Sequence, residues 1–492
     1  MSDLMLVNPL FLHSDPVESR LMTPYFPLGL LYLAATVREA GYDVTIFDAM
    51  FASNDDDFVS ALEREQPDVV GFGVLTTIRD AALRLAALAK TQGATVIMGG
   101  ADPTARPDLY LEHRSDGTFP IDLVVVGEGE KTILEILPHL LKGEEPAAAL
   151  TDVPGVAYRD EVDRVVQTPR RPLIEDVDRL PVPARDLLDV ERYRQAWQGA
   201  HDYFSLSMIA TRGCPYGCSW CQKSVFGRSF RPRSPQSVAD EMARIKQEHH
   251  PDQIRIVDDV MGIDRDWVHA WHDAMLERDA VIPFECLSRV DLMDEEMARL
   301  LKDVGCRRIH FGAESGSQSV LDAMNKGILV AQIVEAADVC RKLDIDTYFY
   351  MMVGYPGESW SDLKRSVRLL RRARPDDFST TIAYPLPGTP FYEEVRDRLA
   401  LEGAGTVDWT HTAENRVLFK RGRLSTLFYR RVIRWFHSEW RNARLKAGDE
   451  DRRPASVWLK TTLGLWRDRL LVNAMAHVPG AIQSGFRPEG ET

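Results

Sequence analysis

Two rhythms alternate along the first third of the chain. Short runs dense in Val, Ile, Leu and Phe read as buried strands: LMLVN (4–8), VTIF (44–47), VVGFGV (69–74), TVIMGG (95–100) and LVVVG (123–127). Between them, apolar residues recur at helical spacing from Pro27 to Gly41, Asp57 to Glu65, Ile78 to Gln92 and onward from about Glu130. Strands separated by helices predict an α/β unit, a doubly wound, Rossmann-like parallel sheet with helices on both faces. Ligands of such sheets sit at the carboxyl ends of the strands. Those ends carry Asn8-Pro9, Leu75-Thr76-Thr77, Gly99-Gly100 and Gly127-Glu128-Gly129.

Residues 145–200 change character. Pro-rich RRPLIEDVDRLPVPARD and a hairpin-like GVAYRDEVDRVV read as a linker packed along two domains. A second series starts near residue 204, with strand-like FSLSMIAT, QIRIVDD, PFECLS, RIHFGAE, DTYFYMMVG and FSTTIAYP. Helical patterns such as SPQSVADEMARIKQEH and LVAQIVEAADVCRKLD separate the earlier ones. Six such steps fall short of the eight that close a barrel, so they predict a partial (β/α)6 barrel open at one side. Its functional residues belong at the strands' C-terminal ends.

The tail reads as helical. Over 416–446 only Glu439 opposes ten Lys and Arg. At helical spacing Arg430, Arg434, His437, Arg441 and Arg444 share one face, and Phe428, Val432, Trp435, Phe436 and Trp440 the other. Such a helix would dock its aromatic side on the barrel and close the open side. The basic stripe fits a solvated face, an acidic substrate or an anionic lipid surface. Trp409, Trp435, Trp440, Trp458 and Trp466 fit core packing or an aromatic-lined substrate lid.

Length agrees with this division. At about 150 residues per domain, 492 residues suggest roughly three domains, placed at 1–144, 201–400 and 401–492 around the linker. Apolar residues at 45% and charged ones at 27% describe a soluble globular chain. Runs such as LGLLYLAATV fall short of the ~20 residues a bilayer crossing needs. The first residues lack a basic flank and a cleavage site, which gives a cytoplasmic expectation. A net charge of −14 argues against a nucleic-acid binder.

The strongest chemical signal is Cys214-Pro-Tyr-Gly-Cys218-Ser-Trp-Cys221, in a loop after the first strand of the second series. Thiolates hold iron–sulfur clusters, and three on a [4Fe–4S] cube leave one iron open. A structural zinc site is the alternative, but it normally needs four protein ligands. The loop holds no His, and Cys286, Cys306 and Cys340 are distant in sequence. VVGEGE lacks the Gly-x4-Gly-Lys-Ser/Thr pattern of a phosphate loop.

From about 204 to 400 the chain resembles the radical SAM (S-adenosylmethionine) superfamily, through this motif, its place after strand one and the later strand ends. The resemblance implies that the open iron binds SAM, with Trp220 packed by cluster and adenosine. Asp258 and Asp259 stand where the family usually has a Gly-Gly-Glu-like motif, and this chain reads VDDVMG instead. Ser288, Arg289 and Glu314 then fit ribose and methionine-carboxylate contacts, while Gly354 and Tyr384 end the strands where the family holds adenine.

GGADPTARP and VVVGEGEKTI ahead of the barrel resemble the cobalamin-binding, class B members, extending the likeness over about 1–400. A nucleotide-type or vestigial domain is the alternative. Small residues at strand ends let a flat ring approach the backbone. None of the twelve His has an Asp two positions before it, so the Asp-x-His-x-x-Gly motif is absent, and His13 lacks that context. The expected cobalamin is base-off, without His ligation, over the Leu75–Thr77 loop.

The implied function is methylation of an unactivated carbon through a 5′-deoxyadenosyl radical and methylcobalamin. A branch resembling the anaerobic magnesium-protoporphyrin ester cyclase would oxidise or cyclise without methyl transfer. A corrinoid-binding sensor is the non-enzyme alternative. The expected partners are a small-molecule substrate, large, flat or anionic, and an electron donor such as flavodoxin or ferredoxin.

Overall fold

The computed structural model describes residues 2–399, 419, 426–448 and 472. Trp409, Trp458 and Trp466 lie outside the described residues.

The first sheet contains β1 (Leu4–Asn8), β2 (Val44–Asp48), β3 (Val69–Gly73), β4 (Thr95–Gly99) and β5 (Leu123–Val125). They run parallel in the order β2-β1-β3-β4-β5. Helices Leu28–Glu39 and Glu130–Leu140 pack together on one face, and Asp55–Glu65 and Arg79–Thr91 on the other. The chain reverses direction across the sheet between β1 and β3, and open α/β sheets bind ligands at that switch point.

The hairpin-like segment is a hairpin, and it belongs to this sheet. β6 (Val156–Arg159) pairs antiparallel with β5, and β7 (Val165–Gln167) pairs antiparallel with β6. Sequence placed it within a linker because alternation fixes a strand but not its partner.

The second sheet contains β8 (Ser205–Met208), β11 (Gln253–Met261), β12 (Phe284–Ser288), β13 (Cys306–Glu314), β14 (Asp346–Val353) and β15 (Asp377–Ile382). All pair parallel in sequential order, and β8 and β15 do not pair, which makes the expected partial barrel. Local chemistry sets the intervening helices. Helix Pro235–His249 starts with Pro235 behind Ser234, whose Oγ accepts the Ser237 N–H at 3.2 Å, and stops at His250 with φ +43. Between β8 and β11 lies a short antiparallel ladder, β9 (Thr211–Arg212) with β10 (Arg231–Pro232), which brackets the cysteine loop.

The tail helix Thr426–Ala447 docks its aromatic side, but not across the open seam. It packs along helix Trp360–Ala373 and so extends the outer ring of helices. Trp435 lies 5.1 Å from Trp360, and Trp440 lies 5.3 Å from Phe378 of β15. The basic stripe is broken. Arg430, Arg434 and Arg441 are exposed, whereas His437 stacks on Phe378 at 4.3 Å and Arg444 pairs with Asp376 at 3.1 Å. His437 and Arg444 are seven residues apart, two turns on one flank, and that flank meets the barrel.

Candidate functional site

A groove of about 320 Å³ opens at the C-terminal ends of β1, β3, β4 and β5, against helix Leu28–Glu39. Glycines form much of its wall: Gly71 and Gly73 on β3, Gly99 at the end of β4 with Gly100 after it, and Gly127 and Gly129 after β5. Gly71 and Gly73 are two apart on one strand, so both clear the same face. Gly127 has φ +96 and nothing within 4 Å of where a Cβ would stand. Gly100 differs, because with φ +107 its Cβ would come within 2.6 Å of the Val74 carbonyl oxygen. Here the backbone itself demands glycine.

The other expected residues divide. Asn8 lines the groove and donates to Asp48 Oδ1 at 2.8 Å. Leu75 lines it too, an exposed apolar side chain at the end of β3. Thr76 is buried and donates to Asp102 Oδ1, which also holds Arg79, so it braces the loop from behind. Thr77 does not line the groove. Among the described residues no histidine does, and exposed His13 packs edge-on to Phe11. A glycine-cleared groove at the switch point, walled by Tyr25, Phe26 and Tyr32, fits a large flat cofactor with a tail.

Glu128 has a second duty. Buried, it accepts from Arg212 at 2.9 Å, from Arg231 at 2.8 Å and from the Ile174 N–H at 2.8 Å. Glu130 takes the other Arg212 nitrogen at 2.5 Å. Arg212 and Arg231 lie on β9 and β10, so VVGEGE latches the first sheet to both strands that frame the cysteine loop.

Within that loop Cys214 is buried, and Cys218 and Cys221 are half-buried. Gly213 at φ +83 passes so close to the Ser229 carbonyl that a Cβ would sit 2.5 Å from its oxygen. Lys223 Nζ donates to the carbonyls of Cys214, at 3.1 Å, and Tyr216, curling the chain around them. Asn325 holds Gly217, the Met324 carbonyl holds the Ser219 N–H, and Ser224 Oγ donates to the Ala101 carbonyl beside Gly100 at 2.8 Å. Burial, with Asp259 and the neighbouring thiols, pushes the Cys221 thiol up to about 11 despite Lys223. A thiol raised in this way stays protonated until a bound cation offsets the charge of its thiolate. Among the described residues no three His, Cys, Asp or Glu side chains converge to hold a single metal ion. The other three cysteines are buried in the barrel core.

The strand ends gather around this loop. Glu314 ends β13 at φ +57, a strained conformation costing about 1–3 kcal/mol for a residue with a Cβ. It pairs with Lys326 at 3.1 Å, both buried, and Lys326 Nζ lies 5.1 Å from the Trp220 ring. Arg289 stacks 3.6 Å over Tyr216 and pairs with Asp291 at 2.9 Å. Ser288 donates to the Met261 carbonyl, and the Gly354 N–H donates to Glu358. Tyr384 is half-buried. The adjacent aspartates point apart. Asp258 is buried and accepts from the Ala210 and Thr211 N–H groups at 2.7 and 3.0 Å, so it anchors β9, while Asp259 is exposed toward Lys223 and Cys221. Burial pushes the Asp258 carboxyl up to about 7.

The Radical SAM superfamily pattern matches residues 208–370, and the B12 binding domain matches residues 20–137. Over 398 residues the chain is 30% identical to an uncharacterized methyltransferase of Pyrococcus horikoshii, covering 79% of this chain and 83% of the relative. The chain belongs to the cobalamin-dependent radical SAM enzymes. It is 28% identical to the anaerobic magnesium-protoporphyrin IX monomethyl ester cyclase of Rubrivivax gelatinosus, over 76% of this chain and 67% of that one. Its fold matches two solved enzymes of the family. One is the radical S-adenosylmethionine methyltransferase TsrM of Kitasatospora setae, holding cobalamin and a [4Fe–4S] cluster, with TM-score 0.64, 22% identity and 81% and 75% of the two chains covered. The other is OxsB with aqua-cobalamin, with TM-score 0.71, 18% identity and 96% and 73% covered.

For a member of this family, sequence reasoning missed the latch, Lys223, Lys326 and a second cavity. The Gly-x-Gly of VVGFGV was the available signal for the groove's floor. The second cavity, about 380 Å³, lies inside the barrel. Arg255 Nε donates to Glu285 at 2.7 Å, Glu285 meets His310 Nε2 at 3.2 Å, and His310 Nδ1 meets the Tyr350 hydroxyl at 3.2 Å. Burial would raise the Glu285 carboxyl, but His310 and Arg255 outweigh it and hold it at about 2. Tyr25, Phe26 and Leu28 of the first domain line both cavities and so form their common wall.

Proposed function

We infer that this enzyme methylates an unactivated carbon of a small molecule held between groove and barrel. The observation that carries the reading is the bond from Ser224 in the cysteine loop to Ala101 beside Gly100, which joins the cluster loop to the cobalamin groove. When bound, the cluster supplies one electron to SAM and cobalamin supplies the methyl group. Cys214, Cys218 and Cys221 would ligate the cluster and leave one iron for SAM. Asp259 offers SAM's amino group a carboxylate, while Trp220, Arg289, Glu314, Gly354 and Tyr384 surround the remainder. Leu75 and the glycines of the groove hold cobalamin in its base-off form, since no histidine lines that wall among the described residues. Electrons come from a small reduced carrier such as flavodoxin or ferredoxin.

The test is mass spectrometry of products from the anaerobically reduced holoenzyme given deuterated-methyl SAM and host extract. Label in a new product is expected, and Cys214→Ala should abolish 5′-deoxyadenosine formation. A hydrogen-deficient, unlabelled product would overturn methylation in favour of the cyclase-like reaction. Nitrogen coupling from a protein imidazole in the Co(II) EPR spectrum would overturn the base-off, histidine-free mode.

A further inference from the structure

The inner wall of the barrel carries a cationic end and an apolar body that the fold itself does not use. Arg255 donates through Nε to Glu285, but its two terminal nitrogens have no hydrogen-bond partner among the described residues. Glu285 cannot turn away, because its other oxygen is held by His310, which Tyr350 holds in turn. A guanidinium fixed along one edge presents its other edge as a ready fork for two oxygens. Around it the wall is apolar. Val257 and Tyr350 are 38% and 37% exposed, large side chains left uncovered inside a barrel whose other faces are packed. Phe26 and Leu28 close the cavity from the first domain.

Along β11 the inward positions Arg255, Val257 and Asp259 step toward the cysteine loop. Four residues of strand span roughly 13 Å. An anion on Arg255 therefore sits at one end of the lumen, and Asp259, beside Cys221 and Lys223, at the other.

We propose that Arg255 is the anchor for an oxyanion at one end of the substrate, a carboxylate or phosphate carried on an apolar body that runs up the lumen past Val257. The reacting carbon then lies on the order of 10 Å from the anion. Glu285 and His310 are positioning residues that act through Arg255. This rests on the methylase reading for the place of the reacting carbon, but the anion site itself does not.

The experiment uses the reconstituted holoenzyme and three probes of one chain length: decanoate, decyl phosphate and decanol. Binding is followed by isothermal titration calorimetry. The two anions are expected to bind at least tenfold more tightly than decanol, and whichever is tighter identifies the headgroup. Arg255→Gln should weaken the anions about tenfold or more and leave decanol unchanged, with iron and cobalamin content as folding controls. Arg255→Lys should recover only part, since an ammonium lacks the fork. Val257→Phe, which keeps the charge and fills the lumen, should weaken all three probes. His310→Gln should lower anion affinity without changing SAM cleavage measured in the absence of substrate. Equal binding of decanol and decanoate, or anion affinity unmoved by Arg255→Gln, would overturn the proposal. Because binding is read without turnover, a failure here leaves the methylase reading standing. Absence of SAM cleavage alongside Arg255-dependent binding would do the reverse.

Discussion

Replacing Glu128 with Gln tests whether the carboxylate between the two sheets is a latch or a cofactor ligand. Glu128 accepts from Arg212, Arg231 and the Ile174 N–H at 2.8–2.9 Å, and it is 5% exposed. Gln keeps the shape and removes the charge. Breaking a buried ion pair from one side costs about 3–5 kcal/mol, because the partner's charge stays buried. Arg212 would keep Glu130 at 2.5 Å, whereas Arg231 would keep neutral partners alone: the Ile174 carbonyl at 2.6 Å, Ser229 Oγ at 3.1 Å and the Phe226 carbonyl at 3.5 Å. The loss therefore falls on one arginine, and the low end, about 3 kcal/mol, applies. With a urea slope of about 3 kcal/mol per M, the unfolding midpoint drops by about 1 M. Ala at the same position also strands the Ile174 N–H, adding about 1–3 kcal/mol. The assay is urea denaturation of anaerobically prepared apoprotein followed by far-UV circular dichroism, alongside cobalamin titration of the folded variant. Both oxygens of Glu128 are already taken, so cobalamin affinity should stay within a few-fold. An unchanged midpoint would refute the latch, and lost cobalamin binding at an unchanged midpoint would make Glu128 a cofactor contact.

Three other outcomes follow from the geometry. Gly99→Ala, whose Cβ would meet nothing closer than 3.9 Å, should fold normally, while Gly100→Ala should lose stability and cobalamin together, as its Cβ meets the Val74 carbonyl at 2.6 Å; equal melting temperatures would refute the distinction. Burial holds the folded Asp258 carboxyl at about 7 against 3.8 for the ordinary group, so the folded chain binds the proton more tightly. Stability attributable to this residue should fall as pH rises from about 4 to about 7, and Asp258→Asn should flatten that part of the urea-midpoint profile; parallel profiles would contradict it. Trp440→Ala removes the packing on Phe378 and the hydrogen bond to the Pro375 carbonyl, and should cost about 3–5 kcal/mol, while charge reversal at exposed Arg430 and Arg434 should stay within about 0.5 kcal/mol, both read by denaturation.

The elements that local periodicity controls were legible in the sequence. The five parallel strands of the first sheet and the six of the barrel stand where their apolar runs are, because a buried strand must be apolar whichever neighbour it meets. The cysteine loop was legible because its chemistry lies within eight consecutive residues, and Gly99, Gly100 and Gly127 because they end or follow apolar strand runs. What sequence could not supply is partnership across distance. Nothing in VVGEGE says that its carboxylates face Arg212 and Arg231, some eighty to one hundred residues on; the docking of two sheets decides it. Asp258 and Asp259 look alike in VDDVMG, yet the pleat sends one under β9 and the other toward the loop, and opposite faces of a strand meet different solvents. The tail helix showed an aromatic face without showing what it would cover. The line from Arg255 through Glu285 and His310 to Tyr350 exists only because four strands bring alternate residues to one lumen. Local chemistry is written along the chain, whereas a site assembled from single residues on separate strands is written only in their register.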